Sequence, residues 1–322
     1  MGGIWDPVMQ ARRLVIRGLV GVAAAALAGA LAGVAFLNGL NRFVIGVPRQ
    51  TGASLVSSGR TREYLLHVPP TYVRGRPTPL VISLHGAALW PSTQMETSRW
   101  NDTADAQGFI AVYPSGVPIA PLPILPRLPV WRVESERGVE EDVLFLSDLI
   151  DRLEATYSVD PRRVYVDGFS NGGAMALVLS CHLETRIAAV GAVAAAQTLP
   201  MSWCGAPGPM PLIAFHGTAD RFVPYGGPSF GFPGWTADWA RRNHCDPKPM
   251  ESGIATGVTR DEYMHCADGA TVVRYTIQDG GHAWPGGRPL PRWMVGSTTT
   301  AIDATALMWE FFRRYERPTA TR

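Results

Sequence analysis

Beyond about residue 58 the chain alternates short apolar runs with stretches whose apolar residues recur at helical spacing. Glu63–Val68 reads as an edge strand, and Leu80–Leu84 as a buried strand ending at His85-Gly86. Thr93–Gln107 is helix-like and Phe109–Tyr113 is a strand again. Glu140–Tyr157 places Val143, Leu146, Leu149, Ile150 and Leu153 on one helical face. Val164–Val166 is a β-branched strand followed, after a glycine-bounded turn, by a helical stretch through Ala174–Ser180. Ile187–Ala194 and Leu212–Phe215 are further buried runs, Val272–Ile277 is a late strand, and Ala301–Tyr315 is a final amphipathic helix. Strands alternating with helices predict an α/β domain with a mostly parallel sheet covered by helices on both faces.

Two stretches depart from this alternation. Gly18–Leu37 carries no charge and follows Arg12, Arg13 and Arg17, the layout of an export signal or a membrane anchor. The chain therefore divides into residues 1–46 (signal or anchor plus the start of a linker), a domain over 47–318, and a tail at 319–322; Val47–Ser58 reads as the linker. In either export case the arginines stay inside and the domain faces outward. Pro114–Pro129 holds six prolines among Val, Ile and Leu, so neither a helix nor a central strand is possible there. It reads as an extended surface connection or as an apolar lip beside the site.

Composition narrows the function classes. A net charge of +2 without an arginine-rich run excludes a nucleic-acid partner, and 46% hydrophobic residues support a real core. Contact with a membrane is expected only through an uncleaved N-terminal segment. Cys181, Cys204, Cys245 and Cys266 all lie beyond that segment, and export exposes them to oxidising conditions. Of three possible pairings, the sequential one closes two loops of similar size, each adding about 3 kcal/mol in the loop-entropy model. No Cys-x-x-Cys or His-Glu-x-x-His spacing occurs, so neither a metal nor any other cofactor is expected.

The chemistry centres on Gly168-Phe169-Ser170-Asn171-Gly172. A strand that ends in Gly-x-Ser-x-Gly and continues as a helix is the layout of a nucleophile elbow. Serine is a poor nucleophile at neutral pH and needs a base, and the base needs an orienting acid. In the α/β-hydrolase fold these follow in the order Ser, Asp or Glu, His, each on a loop after a strand. Among seven histidines, His282 follows the late strand Val272–Ile277 and is the candidate base. Asp220 follows Leu212–Phe215 and is the candidate acid, with Asp279 a weaker rival. His216 and His85 are read as structural. The oxyanion donors are placed at the backbone N–H of Asn171 and of Ala87, with Ala88 as the alternative. Trp284 is the candidate substrate-binding residue, with Trp131 and Trp90 as further candidates for the same pocket. Asp142 reads most simply as a helix-terminal charge.

The stretch Asp160–Met175, His216-Gly217-Thr218-Ala219-Asp220 with Val223-Pro224-Tyr225, and Gly280-Gly281-His282-Ala283-Trp284-Pro285-Gly286 together resemble secreted polyhydroxybutyrate depolymerase-like and feruloyl esterases. Glu141-Asp142-Val143 and Cys266-Ala267-Asp268-Gly269-Ala270 resemble them too. The resemblance covers roughly residues 55 to 316. It implies an exported serine carboxylesterase with the triad Ser170, Asp220 and His282, acting on a polyester or on an ester linked to a plant polysaccharide. The oxyanion loop Ala87-Ala88-Leu89-Trp90 and the proline-rich stretch depart from the family pattern. Acyl transfer by the same triad, and an inactive polymer-binding scaffold, are the alternative readings.

Overall fold

The computed structural model describes residues 52–119, 128–133, 136–198, 204, 208–226 and 231–318. The expected signal or anchor at 18–37, the boundary at residue 46, the tail and the centre of the proline-rich stretch lie outside them. Among the described residues no helix is long and apolar enough to cross a membrane.

The strands are β1 (Ala53–Ser57), β2 (Arg60–His67), β3 (Thr78–Leu84), β4 (Ile110–Pro114), β5 (Val117–Ile119), β6 (Leu128–Val130), β7 (Val159–Phe169), β8 (Ala189–Val193), β9 (Leu212–Gly217), β10 (Met250–Ala255), β11 (Val258–Tyr263) and β12 (Val272–Ile277). The helices are α1 (Pro91–Ser98), α2 (Trp100–Gln107), α3 (Glu136–Thr156), α4 (Asn171–His182), α5 (Phe232–Arg242), α6 (Arg292–Val295) and α7 (Ala304–Phe312). Ten strands form one sheet in the order β1-β2-β4-β3-β7-β8-β9-β12-β11-β10. The inner run from β4 to β12 is parallel, and the outer pairs on both sides are antiparallel. This is the expected α/β architecture.

Strand periodicity explains how the sheet is covered. Successive side chains point to opposite faces. On β7, Val164 and Val166 join a cluster with Leu146, Leu149 and Ile150 of α3 and Met175 and Leu179 of α4. Tyr165, between them, stacks on Phe312 with ring centroids 5.1 Å apart and meets Trp309 edge-on, both on α7. An apolar central run buried on both faces is what a parallel sheet requires.

Three local readings need correction. The linker Val47–Ser58 contains β1, which pairs antiparallel with β2 from Ala53↔Tyr64 to Ser57↔Arg60. The single helix expected over Thr93–Gln107 is two, broken where Arg99 adopts φ 58° and turns the fully buried Trp100 toward Phe109 and Phe312. The hairpin β10–β11 was missed because β10 is mostly exposed and carries no buried run. The ends of the proline-rich stretch pair as a separate two-stranded ribbon, β5 with β6, outside the main sheet. Cys181–Cys204 and Cys245–Cys266 are disulfides, the sequential pairing.

Candidate active site

Ser170 sits between β7 and α4 with φ 54° and ψ −119°, a conformation that L-residues rarely adopt. Its N–H donates to the Val193 carbonyl at 2.8 Å, and its carbonyl accepts the first helical bond, from Ala174 N–H. The turn closes only because its flanks lack a Cβ. One on Gly168 would collide with the Gly172 backbone, and one on Gly172 with the carbonyls of Leu84 and His85. The N-terminus of α4 therefore faces the serine, where its free N–H groups favour developing negative charge.

Asp220 and His282 come together from the ends of adjacent parallel strands, β9 and β12. Thr218 N–H donates to Ile277 O and Ala219 N–H to Gly280 O, each at 2.9 Å, so the two loops are stitched side by side. Gly217 permits this approach, since a Cβ there would strike the Gly280 backbone. His282 Nδ1 is 2.8 Å from Asp220 Oδ2, both side chains being nearly buried. An ionised carboxylate only accepts, so Nδ1 carries the proton and Nε2 is left with a lone pair. The Phe169 ring, one residue before the serine, packs on the imidazole with centroids 4.8 Å apart. The imidazole thus lies against the elbow.

Asp220 holds more than one partner. Its Oδ1 accepts the N–H groups of Phe222 and Val223, each at 2.9 Å. His216 Nε2 lies 3.4 Å from Oδ2 and 2.8 Å from the Val223 carbonyl. Burial raises the carboxyl pKa, but hydrogen bonds from His216 and His282, the electrostatic attraction of the His282 ring and the Val223 N–H outweigh it and hold the group well below the usual carboxylate range. His216 therefore touches the candidate acid directly, which chain order alone did not reveal. Asp279 is placed apart from this cluster, bonded through its N–H to Thr218 Oγ1.

The loop after β3 separates the two oxyanion candidates. Ala88 N–H donates to the Pro129 carbonyl at 2.9 Å and is committed there. Among the described residues no hydrogen bond engages the N–H of Ala87 or Asn171. His85 is fully buried, and burial pushes its pKa down to about 4, so the ring is neutral. Its Nε2 accepts the Gly116 N–H at 2.9 Å, which leaves the proton on Nδ1 to donate to Gly86 O at 2.8 Å. That contact orients the peptide plane whose other end is the Ala87 N–H.

The proline-rich ribbon is rooted in the same place. The Asn171 side chain accepts Trp131 N–H at 2.7 Å and donates to Trp131 O at 2.9 Å. Trp131 Nε1 donates to His85 O at 3.0 Å. Asp142 accepts Arg132 N–H at 3.0 Å and Arg62 at 2.9 Å, and is completely buried. Its role is to hold a loop and a buried cation, in place of the helix-terminal charge the sequence suggested. Trp284 is 1% exposed and donates to Thr305 Oγ1 at 3.0 Å, so the structure places it in the core and not on an open surface of the site.

The chain is similar to known proteins. A family model described as Phospholipase/Carboxylesterase matches residues 126–229. NocK, a protein of Nocardia uniformis subsp. tsuyamanensis, is 30% identical over 295 residues, covering 81% of this chain and 82% of its own. Feruloyl esterase C of Emericella nidulans is 30% identical over 261 residues, covering 78% and 83%. The solved acetyl xylan esterase from Aspergillus awamori superimposes with a TM-score of 0.56 at 15% identity, over 78% of this chain and 94% of that one, a likeness of fold. The chain belongs to the α/β-hydrolase esterase family and is a carboxylic ester hydrolase.

Proposed function

We propose that this esterase works through an acyl-enzyme on Ser170, with His282 as general base and Asp220 as its orienting acid. The observation that carries the reading is the buried Asp220–His282 pair packed against a strained serine elbow. Ser170 Oγ attacks the ester carbonyl while His282 Nε2 takes its proton, and the carbonyl π electrons move onto oxygen. The N–H groups of Ala87 and Asn171 receive that oxyanion. Its collapse breaks the bond to the alcohol, which leaves with the proton from His282; water then repeats the sequence and releases the acid.

The substrate we infer is a short acyl or feruloyl ester carried on a plant polysaccharide. Feruloyl esterase C is named for feruloyl esters, and the acetyl xylan esterase that shares the fold is named for acetyl xylan. The two disulfides support work outside the cytoplasm. Polyester hydrolysis, which the sequence resemblance also implied, is the arm to screen beside it.

The test is turnover of p-nitrophenyl acetate by Ser170→Ala, with circular dichroism to show that the variant folds. Removing a nucleophile of this kind lowers turnover by about four orders of magnitude or more. Wild-type protein should also label on Ser170 with a fluorophosphonate. Folded Ser170→Ala with near-normal turnover would overturn the assignment.

A further inference from the structure

Two aromatic rings pack on the His282 imidazole, and they differ in what else they touch. Phe169 is 2% exposed and belongs to the elbow. Phe222 lies with its ring centroid 5.1 Å from that of His282 at a tilt of 46°, yet is 60% exposed. Its position is not that of a loose surface residue, because its own N–H donates to Asp220 Oδ1 at 2.9 Å. The carboxylate that orients the imidazole thus also pins the backbone bearing this ring. A large apolar side chain left mostly in water, on a fixed backbone and beside reacting groups, calls for an occupant.

The chemistry says which half of the ester that occupant is. Asp220 claims Nδ1, so only Nε2 can hand a proton to the departing alcohol. The leaving oxygen must come within hydrogen-bond reach of Nε2. The carbonyl oxygen points instead toward the donors near Ala87 and Asn171, on the other loop. Phe222, packed on the imidazole that hands over that proton, therefore borders the alcohol half.

We propose that Phe222 is the leaving-group platform of this esterase, a flat apolar face that selects esters of ring-shaped alcohols, in particular a pyranose sugar lying with its C–H face on the ring. The proposal rests on the assignment of Ser170 and His282 above. Phenylalanine has no polar group to offer, so the selection works through shape and apolar contact and leaves the sugar hydroxyls in water.

A two-by-two substrate set tests it: acetyl and feruloyl esters of ethanol and of methyl xylopyranoside, assayed with wild type, Phe222→Ala and Phe222→Trp. In Phe222→Ala the sugar-over-ethyl ratio of kcat/KM should fall by about tenfold for both acyl groups, mainly through KM, and Phe222→Trp should restore it to within about threefold. The feruloyl-over-acetyl ratio should stay within about twofold in all three proteins. An equal loss on ethyl and sugar esters would mean that Phe222 only supports His282, and would overturn the proposal. A loss that follows the acyl group would overturn it as well. Failure of the underlying mechanism is read separately, as absence of fluorophosphonate label on wild-type Ser170.

Discussion

Replacing Asp142 with alanine should destabilise this protein more than any surface substitution. The carboxylate has no exposure, and Arg62, its partner at 2.9 Å, is only 7% exposed. The other groups on that guanidinium are the Ser115 carbonyl at 3.1 Å and the Phe145 ring at 3.9 Å, neither of which carries charge. Burial lowers the Arg62 pKa and Arg132 nearby lowers it further, while Asp142, and after it Glu141, raise it, so the cation depends chiefly on the Asp142 carboxylate. Removing one member of a buried pair costs about 3–5 kcal/mol because the other charge stays behind unpaired. The Arg132 N–H also loses its acceptor, but Arg132 is partly exposed and water replaces most of that bond. About 4 kcal/mol is then expected, a large share of the roughly 5–15 kcal/mol that stabilises a domain. At about 2–4 °C per kcal/mol for a domain of this size, the thermal midpoint should fall by about 8–16 °C. Thermal and urea unfolding should be run beside the double variant Arg62→Met/Asp142→Leu, which removes both charges and should recover most of the loss. A cost under about 1 kcal/mol for Asp142→Ala, or a double variant as unstable as the single, would refute the argument.

Asp167 on β7 is wholly buried, and burial raises its pKa to about 7 against the hydrogen bond from Ser83 Oγ at 2.7 Å. Between about pH 4 and pH 7 the unfolded carboxyl ionises while the folded one stays neutral, so stability falls by up to about 1.4 kcal/mol per pH unit and then levels. Asp167→Asn should therefore gain on wild type in urea midpoint through that window and hold a constant gap above it; a gap independent of pH would contradict this. Asp220→Asn should lower kcat by about four orders of magnitude while leaving the far-ultraviolet dichroism unchanged, because the amide no longer imposes the required tautomer on His282. The Asp220 pKa is depressed in the folded state, so its stabilising contribution is complete above about pH 4 and is lost as pH falls through the folded value. The thermal-midpoint gap between wild type and Asp220→Asn should hold constant above about pH 4 and narrow progressively as pH falls below it, and a gap that stays the same size down to about pH 3 would count against it.

Much of the fold was legible because its strands are continuous apolar runs and its helices carry one apolar face. Leu80–Leu84, Val164–Val166 and Val272–Ile277 all appear where those runs stand. The hairpin β10–β11 was invisible because exposed edge strands bury little and leave no such pattern. The break at Arg99 was hidden for another reason, since helical periodicity passes through it and only the demand to bury Trp100 bends the chain.

Chain order and local context determined that a serine stands on a strand–helix turn and that Asp220 and His282 follow β9 and β12. These are local facts, set by the residues beside each motif. Only the tertiary structure decided what touches what. It committed Ala88 N–H to Pro129, drew His216 onto Asp220, buried Trp284 in the core and left Phe222 exposed on His282. Such contacts depend on how distant loops meet at the ends of parallel strands, and no spacing along the chain encodes that meeting.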